Sequence, residues 1–127
     1  MTKTRKIIGW MLTALIGALF LFSAFMKFKG SPEAEQGAIA MGLTADTIKF
    51  IGIVELLSLV LFAIPRTGII GTLLLAAYLG GAIATHLEHA QPFIMPVIIQ
   101  AVVWITAFIR FPELSARILA KPAAPAL

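Results

Sequence analysis

Apolar residues gather into four stretches separated by short polar breaks. Ile7 to Met26 holds no charged residue, and about 20 helical residues at 1.5 Å each cover the roughly 30 Å of bilayer hydrocarbon. A second run covers about residues 46–64. It opens on the helix-start residues Thr44 and Asp46 and closes at Pro65, whose missing N–H cannot continue the helix. A third run covers 67–87, and the Pro65-Arg66-Thr67-Gly68 turn before it is short enough to make the second and third helices antiparallel neighbours. The fourth covers 93–109, after a turn containing His86, Glu88, His89, Gln91 and Pro92, and ends at Arg110 and Pro112. Residues 110–127 form a short tail rich in Ala and Pro, expected to fray. The pattern predicts an all-α chain, an integral membrane four-helix bundle in a single transmembrane domain spanning 1–127.

One polar stretch is longer, Lys27 to Lys49. Ser31 as N-cap, Pro32 at the first helical position, Glu33 and Glu35 in the first turn and Gly42 as a stop predict a short helix here, lying at the membrane interface. In the third span Gly and Ala recur four apart, as Ala76, Gly80 and Ala84 with Ala77 and Gly81 beside them. Such rows let helix backbones approach in lipid and are a packing signal.

Composition adds what the chain is not. Of 127 residues 60% are hydrophobic and 13% charged, against about 45–50% and 25% in soluble domains. Four spans leave no room for a soluble catalytic domain. The chain has no cysteine, which excludes disulfides, thiol chemistry, Cys-ligated zinc and all-Cys iron–sulfur clusters. The basic start (Lys3, Arg5, Lys6) before an apolar run also suits a signal peptide. That run exceeds the usual roughly 7 to 15 residues and no A-x-A site follows, so a retained helix is expected.

Charge then gives orientation. Lys3, Arg5, Lys6, Arg66, Arg110, Arg117 and Lys121 fall on one side of the predicted spans and Lys27, Lys29 and Lys49 on the other. By the positive-inside rule both termini are cytoplasmic, with the Lys27–Lys49 loop and the His86–Pro92 turn outside. The net charge of +4 reflects topology and lipid contact; no nucleic-acid partner is expected, since no basic face is concentrated.

Ionisable groups inside spans cost at least about 2.5 to 3.5 kcal/mol at a helix centre and need a partner or a role. Glu55 is the clear case, six residues past Lys49, or about 9 Å by helical rise. On the antiparallel map Lys27, His86 and Gln100 reach the same outer half. Residues one turn along the same faces extend these stripes: Ser23 below Lys27, Ser58 near Glu55, Tyr78 and Ala82 below His86, Trp104 below Gln100. If the stripes face the bundle axis they enclose a polar pocket opening outward, floored by Phe20, Phe62, Tyr78 and Trp104. The candidate ligand residues are therefore Lys27, Glu55, His86, Gln100, Ser23, Ser58, Tyr78 and Trp104. The purely structural alternative has Lys27 and Glu55 fixing helix register as an ion pair, with Gln100 and Ser58 as interhelical hydrogen-bond glue. No catalytic residue is assigned. His86 and His89 share a helix face with Glu88 near them, but no third ligand elsewhere has a recognisable spacing, so no metal site is assigned. Both histidines sit on one helix end, which excludes bis-histidine haem, and GxGxxG, Walker, GxSxG and HExxH motifs are absent.

Three phrases together resemble the DoxX-like family of small bacterial membrane proteins: SAFMKFKG (Ser23 to Gly30), IGIVELLSLVLFAIPRTG (Ile51 to Gly68) and GTLLLAAYLGGAIATHL (Gly71 to Leu87). The resemblance covers roughly Ile7 to Phe111 and marks Lys27, Glu55 and His86 as signature residues, without a catalytic role for any of them. A relative of the family is the membrane subunit of a thiosulfate:quinone oxidoreductase, and others are associated with redox-stress assemblies. The resemblance thus implies the bacterial cytoplasmic membrane, a quinone or similar small molecule as ligand, and a soluble or peripheral oxidoreductase subunit as partner. Two other classes stay open: a small proton-coupled transporter or amphiphile binder, and a structural subunit without a ligand. Four-span multidrug exporters match in size, but their key Glu lies in the first helix and their loops are shorter than the 23 residues here. A homo-oligomer is compatible with each class.

Overall fold

The computed structural model describes residues 2–120, and among these every regular element is helical. The helices are α1 (Lys3–Lys29), α2 (Pro32–Ala40), α3 (Ala45–Ala63), α4 (Gly68–Glu88), α5 (Ile94–Arg110) and α6 (Pro112–Ile118), with a 3-10 turn at Pro65–Thr67 between α3 and α4. Local chemistry sets their ends. Thr2, Ser31 and Thr44 cap α1, α2 and α3, their hydroxyls accepting from the N–H groups of Arg5, Ala34 and Thr47 at 3.1, 3.2 and 3.2 Å. Gly30 ends α1 at φ +65°, a left-handed conformation in which glycine carries no Cβ penalty. The Thr67 hydroxyl donates to Leu61 O at 2.8 Å and ties the 3-10 turn to the last turn of α3.

Two helical segments, Lys3–Lys29 and Pro65–Glu88, are long and apolar enough to cross a membrane, and α5 with α6 reaches that length as a pair bent by 107°. The 19-residue α3 carries Asp46, Lys49 and Glu55. The tail expected to fray instead turns sharply after Arg110 and forms α6, because Pro112 takes the first helical position and Glu113 the first turn. Lys121 and the rest of that tail lie outside the described residues.

The four long helices pack in the cyclic order α1, α3, α4, α5, each against two neighbours. Phe20 of α1 and Tyr78 of α4 meet across the centre as an edge-to-face pair with centroids 5.9 Å apart. Ile16, Phe62, Leu75 and Val103 are fully enclosed around them. The buried hydroxyls of Thr13, Ser58, Thr72 and Thr106 donate to the carbonyl four residues earlier on their own helices, at 2.7 Å in each case. Ser58, Thr72 and Thr106 are satisfied in this way without an interhelical partner, so Ser58 does not act as glue for Gln100.

Apart from Ala76, whose carbonyl accepts from Gln100 of α5, the Gly and Ala row expected to pack helices faces outward. Ala77, Gly80, Gly81 and Ala84 are exposed, and a Cβ added at Gly80 or Gly81 would meet nothing within 4 Å. Close approach occurs earlier on α4. A Cβ at Gly71 would lie 2.1 Å from Phe62 N of α3, and one at Gly68 would lie 2.1 Å from the Phe111 ring.

Candidate functional site

Gly52 begins the site. Because it lacks a Cβ, the end of α1 settles on α3; an added Cβ would stand 3.2 Å from Phe28 Cζ and 3.5 Å from Lys27 Cβ. Glu55, three residues on and so on the same face, points inward and is 1% exposed. Lys27 Nζ reaches its Oε2 at 3.0 Å while the Lys27 side chain keeps 20% exposure. The same ammonium donates to Ser23 Oγ one turn back on α1. From α4 the phenol of Tyr78 faces the Glu55 carboxylate. Three helices thus converge on one carboxylate, and among the described residues Lys27–Glu55 is the ion pair of the molecule.

The remaining candidates are not joined to this group by hydrogen bonds. His86 Nδ1 is paired with Ala82 O of its own helix at 2.6 Å, and His89 Nδ1 with Thr85 O at 3.0 Å. Among the described residues no three His, Cys, Asp or Glu side chains gather as a metal-binding group. Gln100 donates from Nε2 to Ala76 O of α4 at 3.1 Å, which locks α5 to α4, and its Oε1 is enclosed without a hydrogen-bond partner. Trp104 is half-buried on α5. Phe62, expected in the pocket floor, lies seven residues further along α3, with Arg110 placed over its ring at 5.1 Å.

Reading Arg110 as a topology charge missed a second polar centre at the opposite end of the helices. Arg110 is 8% exposed. It donates to Phe62 O at 2.8 Å, Ala63 O at 3.0 Å and Thr13 Oγ1 at 3.3 Å. It therefore satisfies carbonyls that the end of α3 leaves open and sets a cation at the negative end of that helix dipole. Its guanidinium also stands over the rings of Trp10 at 4.6 Å and Phe111 at 4.7 Å. Gly9 makes room, since a Cβ there would lie 2.8 Å from Arg110 Cγ. Arg5 does the same for α5, donating to Phe108 O at 2.8 Å and Ile109 O at 2.7 Å, and it holds α6 through Ser115 Oγ at 2.9 Å. The available signal was the notch on α1 formed by Gly9 and Thr13, one turn apart, facing a helix that ends in Arg-Phe-Pro.

In comparison with known proteins, the model of the DoxX-like family matches residues 11–108. No curated protein and no solved structure matches the chain. The matched stretch includes Ser23, Lys27, Glu55, Tyr78, His86 and Gln100 and stops short of Arg110.

Proposed function

This chain belongs to the DoxX-like family, and from that premise we propose that it is a membrane subunit that binds a quinone or a similar carbonyl-bearing small molecule for a partner oxidoreductase. The observation that carries this reading is the enclosed Glu55 carboxylate with Lys27 and Tyr78 turned toward it. Retaining an ionisable residue within a membrane helix is costly unless it is paired or used. A quinone needs an apolar slot with a few polar groups to orient it. Lys27 Nζ and the Tyr78 hydroxyl are donors suited to a carbonyl oxygen, and Glu55 and the unpartnered Gln100 Oε1 are acceptors suited to a hydroxyl. A bound quinone supplies the two-electron redox chemistry; the chain's part is to orient it and hold a proton at Glu55.

In this reading the four long helices cross the bacterial cytoplasmic membrane as an antiparallel bundle with both termini cytoplasmic. The short α2 lies at the outer interface. The division of basic residues, seven against three, supports that orientation.

A second reading, a structural subunit without ligand, is favoured by the closed geometry of the Lys27–Glu55 pair. Extraction in mild detergent and mass spectrometry of co-purifying small molecules separates the two. A quinone that accompanies the native protein and is lost from Glu55→Gln supports the first. No ligand, with Glu55→Leu raising thermal stability, supports the second. Proton-coupled uptake in vesicles, abolished by Glu55→Gln, would instead establish the transporter.

A further inference from the structure

A cavity lies beside an open helix face where α1 begins. The cavity, of about 360 Å³, is lined by Lys6, Trp10, Pro65, Arg110, Phe111 and Glu113. Beside it lies an open, apolar face of α1 formed by Lys3, Lys6, Ile7, Trp10, Met11 and Ala14. Lys6 and Trp10 belong to both, so the cavity continues onto the apolar face of α1. The charges are unbalanced. Arg110 is 8% exposed yet has no carboxylate within 4.0 Å among the described residues, and Glu113 is the single acid in either lining against Lys3, Lys6 and Arg110. The α3 carbonyls offset part of the Arg110 charge only, because a helix end carries about half a unit.

A cationic cavity opening onto an apolar helix face, with a tryptophan between them, has the polarity profile of one molecule with an anionic head and a hydrocarbon tail. Basic residues at a membrane edge attract anionic lipids, and Trp settles at headgroup depth. We propose that this end of the bundle is a binding site for an anionic phospholipid. Lys6 and Arg110 face its phosphate, Trp10 marks the headgroup boundary, and an acyl chain runs along Ile7, Met11 and Ala14. Most of these residues lie outside the stretch that defines the family, 11–108. The site is also separate from Glu55, so it stands or falls independently of quinone binding.

Native mass spectrometry of the detergent-solubilised protein tests this with phosphatidylglycerol and phosphatidylcholine of identical acyl chains. Arg110 caps α3, so the variants are Lys6→Gln and Glu113→Gln, at exposed positions, with melting temperature as the folding control. Phosphatidylglycerol is expected to bind at least about fivefold tighter than phosphatidylcholine, the effect of one basic residue at an anionic surface. Lys6→Gln should remove about fivefold of that preference, and Glu113→Gln should raise it by a similar factor. Equal binding of the two lipids, or an unchanged preference in folded Lys6→Gln, would overturn the proposal. So would displacement of phosphatidylglycerol by equimolar glycerol phosphate, which would assign the cavity to a free anion.

Discussion

Glu55 illustrates what one charged residue does in a low-dielectric interior. Its carboxylate is enclosed, and Lys27 at 3.0 Å supplies the opposite charge. Removing one member of such a pair costs about 3 to 5 kcal/mol, whereas replacing both by apolar residues of similar size is often neutral or stabilising. Lys27→Met is therefore expected to destabilise the protein by about 3 kcal/mol. The double variant Lys27→Met, Glu55→Leu should recover most of that loss, as measured by unfolding in mixed detergent micelles. A double variant no more stable than Lys27→Met would show that the pair does more than balance charge. Legibility at this scale was uneven. Glu55 stood out because it is the acid well inside an apolar run, and Lys27 followed from the helical register. Arg110 did not stand out, because a basic residue ending a span is the ordinary signature of topology and its burial depends on the notch formed by another helix.

Among the helices, glycine has two uses that sequence spacing does not separate. Gly71 is a contact between backbones, and the Phe62 atoms that a Cβ would strike are main-chain atoms that cannot swing aside. Gly71→Ala should destabilise by about 1 to 3 kcal/mol or more through overpacking. Gly80→Ala has open space around it and should be neutral or stabilising by up to about 1 kcal/mol, since alanine is the better helix former. Thermal unfolding of the two variants checks the opposite signs. The four-residue repeat at Ala76, Gly80 and Ala84 drew attention because regular spacing is visible along a chain. The less regular Gly71 carries the contact because the 3-10 turn at Pro65–Thr67 brings the start of α4 directly against the end of α3, while Gly68 makes room for the Phe111 ring.

At the scale of the molecule, arginines from one helix close the ends of others. Arg110 of α5 caps α3, and Arg5 of α1 caps α5 while holding Ser115 of α6. Arg5→Gln is expected to release α6 first. Hydrogen exchange should speed up across 112–118 while α4 remains protected; uniform loss of protection would mean that Arg5 supports the whole bundle. Orientation is tested at the same scale, and the absence of cysteine makes the test clean. In sealed, right-side-out vesicles a membrane-impermeant thiol reagent should label Gln36→Cys and leave Thr4→Cys unlabelled until the vesicles are opened. Labelling of Thr4→Cys from outside would reverse the topology.

The sequence by itself determined that the chain is helical and apolar, which residues stop its long helices, and which acid is unusual. These are properties of contiguous residues: hydrophobic run length, capping chemistry and proline position. Tertiary structure decided which polar residues meet. Ser23, Lys27, Glu55 and Tyr78 come together because α1, α3 and α4 converge there, whereas His86 and Ser58 turn back to their own helices. It also decided that Arg5 and Arg110 serve as caps. An orphan carbonyl at the end of one helix has no sequence signature for the distant residue that satisfies it, so that pairing arises only when the helices pack.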